Sequence, residues 1–177
     1  IPENIPFISY PYEWSFSQLK DAALLTLDIQ LLALEYNMTL KDASAYNIQY
    51  KNGKPIFIDT LSFEEYEDEK PWVAYQQFCQ HFLAPLAVMC KNDIRLSQLL
   101  KTNIDGIPMD LASKLLPKKT FFSFGILSHI HLHAIFQNHY SDNQKSQKKI
   151  RKITKKDLIN ICENLKSLIT KFNWNPI

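Results

Sequence analysis

The sequence predicts a mainly α-helical fold with one small β-hairpin inserted early. Three observations predict it: long apolar stretches with helical spacing, a single Asn52-Gly53 turn between short β-prone arms, and only three glycines in 177 residues. A hydrophobic content of 46% is enough for one ordinary core and too little for two large domains. Aromatic residues, at 12%, argue against disorder.

Residues 1–14 are rich in proline and aromatics and read as extended. A helix then begins at a Ser15 or Ser17 cap, with Leu19, Ala22, Ala23, Leu27, Leu31 and Leu34 at helical spacing and Asn37 as its stop. The segment "MTLKDASAYN" reads as a loop. The hairpin follows, with arms Ile48 to Tyr50 and Ile56 to Ile58, because Asn and Gly both tolerate the positive φ of a tight hairpin turn. The acidic run "TLSFEEYEDEKP" is a surface loop. In "WVAYQQFCQHFLAPLAVMC" the pattern is again helical, and Pro85 should kink or split that helix. Two short helices, "IRLSQLLK" and "PMDLASKLL", precede a further helix in "TFFSFGILSHIHLHAIFQNHY". The last helix carries Leu158, Ile161, Leu165, Leu168 and Phe172 on one face.

Composition excludes several functions. Gly53, Gly106 and Gly125 are not clustered, so no Rossmann fingerprint, Walker loop or S-adenosylmethionine loop is present. Cys79, Cys90 and Cys162 are odd in number, far apart and outside any CxxC pattern, which suits a reducing cytoplasm better than a disulfide framework or a zinc ribbon. Asp28, Glu35, His81 and Lys91 interrupt the apolar runs, so no membrane span is expected. Seven basic and no acidic residues fall between Gln144 and Lys156, leaving 13 basic against 18 acidic elsewhere. This stretch reads as a solvated basic linker, the alternative being a nucleic-acid or anionic-membrane contact; the lack of interleaved aromatics weakens a single-strand-binding reading, and no nucleic-acid partner is expected.

The chemistry-bearing stretch is "LKDASAYNIQYKNGKPIFID". Asp42 and Asn47 are separated by four residues, and Asp59 lies at the end of the hairpin, twelve positions after Asn47. A hairpin returns the chain to its start, so the three side chains should converge. Two carboxylates and an amide oxygen are hard ligands of the kind Mg²⁺ takes, with one carboxylate left to orient an attacking hydroxyl. The competing reading is that Asp42 is a cap and Asn47 a turn former. His129, His131, His133 and His139 read as a polar helix face, Cys79 as core, and Trp14, Trp72 and Trp174 as packing.

On these residues the segment resembles the catalytic loop of protein kinases, and the fold implied is the C-terminal lobe of a protein-kinase-like domain. The resemblance implies that Asp42 is the base-like catalytic residue, that Asn47 and Asp59 are metal ligands, and that the neighbouring Lys41 contacts the cofactor. Leu40 stands where histidine is usual, and Asp59 is followed by Thr60-Leu61 rather than Phe-Gly, as suits small-molecule or atypical kinases. Mg²⁺ and ATP are the cofactors implied.

A second resemblance rests on "YPYEWSF", "LKDA" with "YN", "IDTLSFE" and "AYQQF", in that order. They are similar to the region preceding the methyltransferase domain in bacterial class I S-adenosylmethionine-dependent methyltransferase proteins, including nodulation-type ones. It implies a transferase whose S-adenosylmethionine site lies in a missing downstream domain. The expected organisation is a helical lobe over 1–140 with its hairpin at 48–58, a basic linker over 141–153, and a helix over 154–177 leading to that domain. The expected partners are the missing N-terminal lobe and this C-terminal domain. Loss of the former should leave Phe7, Tyr10, Tyr12 or Trp14 exposed. The alternative function is a non-catalytic helical scaffold that orients the adjacent domain or its substrate.

Overall fold

The computed structural model describes residues 4–132 and 153–174. Helix α1, Phe16–Glu35, is the spine of the fold. Ser15 caps it, its Oγ accepting from the Gln18 amide while the Gln18 side chain accepts from the Ser15 amide. Asn37, at φ 57°, turns the chain out of the helix, as expected of it. The buried face carries Leu19, Ala22, Ala23, Leu27 and Leu34, together with the polar Thr26 and Gln30.

Among the described residues the fold is mainly helical with two small two-stranded antiparallel sheets. One is the expected hairpin, β2 (Ile48–Lys51) and β3 (Lys54–Phe57). Asn52 and Gly53 both take positive φ, 51° and 74°, the conformation of a type I′ turn. The other sheet corrects the reading of "MTLKDASAYN" as a loop. Its first residues form β1 (Met38–Leu40), which pairs with β4 (Phe63–Glu65) out of the acidic run. Three-residue strands hold too few side chains to display a period of two, which is why the sequence hid them.

Leu40, the end of β1, is fixed from both sides. The buried Gln30 accepts its N–H at 2.8 Å, and the Trp72 indole donates to its carbonyl at 2.7 Å. Trp72 is therefore both packing and anchor.

The second apolar helix is continuous but changes pitch. It runs as α2 (Tyr75–Phe78), then a π-helical segment over Cys79–Leu83, then α3 (Ala84–Lys91). Pro85 supplies the reason. It has no N–H to give His81, and its ring would press on the His81 carbonyl. The helix widens instead, and the Ala84 amide bonds back to Cys79. The Gln80 carbonyl, the usual partner of Ala84, is released and accepts from Ile107 at 2.9 Å. The expected kink is thus taken up as a π segment.

Two short helices follow, α4 (Leu99–Thr102) and α5 (Met109–Leu115). The stretch after Pro117 contains a 3₁₀ turn, α6 (Phe124–Ile126) and a second π segment over Leu127–His131. His131 corrects the reading of a polar helix face. It is fully buried, with Nδ1 2.8 Å from Ser113 Oγ and Nε2 2.9 Å from Thr120 Oγ1. His133, His139 and most of the basic stretch lie outside the described residues.

Helix α7, Lys155–Thr170, packs against α1 through Leu158, Cys162, Leu165 and Ile169. Lys166 pairs with Asp28 at 2.6 Å, and Lys20 caps the far end by donating to the Thr170 and Phe172 carbonyls. Among the described residues no helix is long and apolar enough to cross a membrane.

Candidate functional site

The site grows out of the two sheets. Beyond Leu40 the β1–β4 ladder gains one more bond, from the Lys41 amide to the Ser62 carbonyl at 2.8 Å. Beyond Ile48 the hairpin ladder gains the Ile58 amide bonded to the Asn47 carbonyl, also at 2.8 Å. The two ladders hold Asp42, Asn47 and Asp59 from both ends of the intervening chain.

A chain of hydrogen bonds joins the three residues. Ser62 Oγ donates to Asp59 Oδ2 at 2.7 Å and accepts from Asn47 Nδ2 at 3.0 Å. The same Nδ2 reaches the Asp42 carbonyl at 3.4 Å. Asn47 is buried, and with Nδ2 engaged on this side its Oδ1 has no partner among the described residues. Ser62, wholly buried, was not foreseen; it is what sets the amide's orientation. The Asp59 carboxyl is held below the ordinary carboxylate range, first by the Ser62 hydroxyl, then by the Leu61 amide and the charge of Lys41. Lys41 itself is exposed beside it.

Asp42 uses Oδ1 to accept from the Ser44 amide at 2.8 Å, a turn-stabilising bond of the kind aspartate makes in loops. Its carboxylate also lines an open cleft of about 430 Å³, with Ser44, Tyr46, Asn47, Gln77, His81 and Asp105. Asp59 is not part of that wall. The cleft therefore lies on the Asp42 side of Asn47, and the Ser62–Asp59 arm runs from the other.

Three cleft residues come from far along the chain. Gln77 is fixed by accepting from the Ala43 amide at 2.7 Å. His81 sits on the π segment, and Tyr46 meets its ring edge-on, with centroids 6.1 Å apart. Burial lowers the His81 pKa to about 4, although Asp42 and Asp105 pull the other way. Asp105 is delivered by the loop whose Ile107 bonds Gln80. That loop passes so close that a Cβ on Gly106 would stand 2.5 Å from the Gln80 carbonyl carbon, and Gly106 has φ +89°. Pro85 and Gly106 were the sequence signals for this junction, but neither says which partner it meets.

No group of three or more His, Cys, Asp or Glu side chains able to hold a metal occurs among the described residues. An all-protein cage is thus not built. The donors that do exist, the Asn47 Oδ1 and the Asp59 carboxylate, are hard oxygens of the type that holds Mg²⁺ when phosphate completes its shell.

Toward the amino end, Phe7 and Ile8 are 72% and 53% exposed and Tyr10 is 43% exposed, while Trp14 is buried against Tyr50. The expected apolar exposure therefore lies on Phe7 to Tyr10 and not on Trp14.

No family model matches the chain, and no solved structure matches it. The chain is homologous to part of the nodulation protein NoeA of Rhizobium meliloti (strain 1021), at 41% identity over 138 residues. That stretch is 78% of this chain and 29% of NoeA, so the chain spans less than a third of the length of that relative.

Proposed function

We propose that Lys41 to Asp59 forms half of a phosphoryl-transfer or nucleotide-binding site, in a kinase-like module of a larger transferase. The observation that carries this reading is the Asn47 amide: buried, held by Ser62, and joined through that hydroxyl to an Asp59 carboxyl whose pKa is lowered. Asn47 and Asp59 would hold Mg²⁺, which would supply charge neutralisation for nucleotide phosphates. Lys41 would add a positive charge on the same side. Asp42, on the cleft side, would accept a hydrogen bond from an acceptor hydroxyl and orient it. The kinase-like C-terminal lobe accounts for a long helix, a short strand, an Asp and Asn five apart, a hairpin and a second Asp in that order.

The homology to part of NoeA, a nodulation protein, supports placing this module within a longer protein. The resemblance to methyltransferase proteins supports reading that longer protein as a methyl transferase, whose S-adenosylmethionine would bind outside these 177 residues, which hold no clustered glycines. A second reading, a helical scaffold orienting that neighbouring domain, is favoured by the scarcity of glycine, which leaves no phosphate loop here.

The test uses the full-length protein. Mg²⁺ with ATP should raise the thermal midpoint of the wild type and leave Asp59→Asn unmoved. Asp42→Ala should lose nucleotide turnover while retaining methyl transfer. Equal stabilisation of wild type and Asp59→Asn shows that Asp59 is not the ligand; no stabilisation of the wild type by Mg²⁺ and ATP, with no nucleotide turnover, selects the scaffold.

A further inference from the structure

His81 is 4% exposed, yet neither ring nitrogen has a hydrogen-bond partner among the described residues. Buried polar groups are ordinarily paired, because an unmet donor or acceptor forfeits its bond to water. The ring belongs to the wall of the cleft that also holds Asp42 and Asp105. With burial keeping it neutral at physiological pH, the imidazole offers one donor and one acceptor. A hydroxyl group, which both donates and accepts, matches that pair.

The rest of the wall narrows the class. Two acidic residues, Asp42 and Asp105, line the cleft, and among the described residues no Lys or Arg does. Gln77 spends its carbonyl on the Ala43 amide, so its Nε2 donors are what remain for a ligand. The Tyr46 phenol, on the same wall, adds a further hydroxyl. A carboxylate-bearing wall disfavours anions and favours ammonium, while the histidine, amide and phenol favour hydroxyls.

We propose that the cleft between Asp42, His81 and Asp105 binds a small amine-bearing polyol, with His81 and Gln77 taking its hydroxyls and Asp105 its ammonium. This names the acceptor class for the phosphoryl-transfer reading and rests on it for the role of Asp42. Binding itself needs neither nucleotide nor metal. Asp105 stands in place only because Pro85 frees the Gln80 carbonyl and Gly106 lets the loop approach it. The pocket is thus built by the fold rather than by chance exposure of two acidic residues.

Three probes carry hydroxymethyl groups on one quaternary carbon and differ in charge, with three, four and two hydroxyls: tris(hydroxymethyl)aminomethane, pentaerythritol and 2,2-bis(hydroxymethyl)propionate. Their binding to the full-length protein is measured by ligand-observed NMR at neutral pH, in a phosphate-free, amine-free buffer without nucleotide or Mg²⁺. The amine should bind about fivefold to tenfold tighter than the neutral polyol, and the anion should bind weakest. Asp105→Asn, a change at an exposed loop, should remove the preference for the amine and keep the polyol. His81→Phe should weaken amine and polyol alike. No saturable binding of the amine, equal binding of amine and anion, or a preference untouched by Asp105→Asn overturns the proposal. Amine binding that survives Asp59→Asn, in a protein that Mg²⁺ and ATP fail to stabilise, would keep the pocket and remove the phosphoryl-transfer reading. Nucleotide stabilisation without amine binding would do the reverse.

Discussion

His81 and His131 are withdrawn from solvent to nearly the same degree, 4% and 0% exposed, and both sit on π-helical segments. Their surroundings differ. His131 stacks on Phe121 at 3.8 Å and has both nitrogens met. The Thr120 hydroxyl donates to the Pro117 carbonyl at 2.6 Å, so toward His131 it accepts; Nε2 carries the proton, and Nδ1 accepts from Ser113. That is a histidine serving as a structural peg. His81 has a neighbouring ring, two carboxylates nearby and no hydrogen bond among the described residues. Burial alone does not mark a site; burial without satisfaction, on the wall of a cleft, does.

The largest expected effect comes from breaking the junction that sets His81 apart. Gly106→Ala places a Cβ 2.5 Å from backbone at Gln80, where no flexible side chain can yield, and φ +89° is strained for alanine. Urea unfolding should show a loss of about 2–4 kcal/mol. Gly53→Ala is the control. It has positive φ but nothing within 4 Å of the added Cβ, so only the backbone term, about 1 kcal/mol, should appear. Equal losses at the two positions would mean that the close approach to Gln80 relaxes freely.

The second effect is acid sensitivity. The His81 pKa is depressed to about 4, so the unfolded chain takes up a proton near pH 6.5 before the folded one does. Its contribution is fully present above about pH 6.5 and is lost as the pH falls toward about 4, up to about 3 kcal/mol in all. Burial lowers the His131 pKa too, with the same sign. There, however, the Ser113 hydroxyl can turn to accept from a newly protonated Nδ1, so the penalty should be smaller. Stability measured at about pH 7 and about pH 5 should therefore fall less in His81→Phe than in wild type, and little differently in His131→Phe. An unchanged pH difference in His81→Phe would refute the assignment.

At neutral pH the same two substitutions should rank in the opposite order. His131→Phe leaves Ser113 and Thr120 without their partner and should cost about 1–2 kcal/mol. His81→Phe abandons no hydrogen bond and should stay within about 1 kcal/mol of wild type. A larger loss at His81 would show that it is a peg like His131, and the contrast would collapse.

What the sequence made legible was local. The turn at Asn52-Gly53 is encoded by the two residues that occupy it, and with four-residue arms it returns Asp59 to Asn47 by geometry alone. Ser15 and Asn37 bound α1 for equally local reasons. What stayed hidden was set by meetings across the chain. Gln30 and Trp72 pin Leu40 from positions ten and thirty-two residues away. Pro85 announces a disturbed helix, but the consequence, a freed Gln80 carbonyl that captures Ile107, depends on a loop more than twenty residues on. Ser62 was invisible because one serine in an acidic run carries no pattern, yet it couples Asn47 to Asp59.

The smallest expected effect is at that serine, and it separates the two sides of the site. Ser62→Ala removes the acceptor for Asn47 Nδ2 and the donor to Asp59 Oδ2 and adds no bulk. Asn47 keeps only the longer contact to the Asp42 carbonyl, so the fold should lose about 1 kcal/mol in urea unfolding. The Asp59 carboxyl, relieved of the largest influence that lowers it, should titrate closer to the ordinary aspartate range in a carboxylate NMR titration. The sign follows: a depressed carboxyl stabilises the fold above its unfolded pKa and loses that contribution in acid, so the variant should be less sensitive to the most acidic part of the range. His81 lies across Asn47 from this change, and its acid sensitivity between about pH 6.5 and about 4 should be untouched. A variant that moves both responses together would show that cleft and carboxylate arm are one electrostatic unit. One that moves only Asp59 would establish that Asn47 divides them.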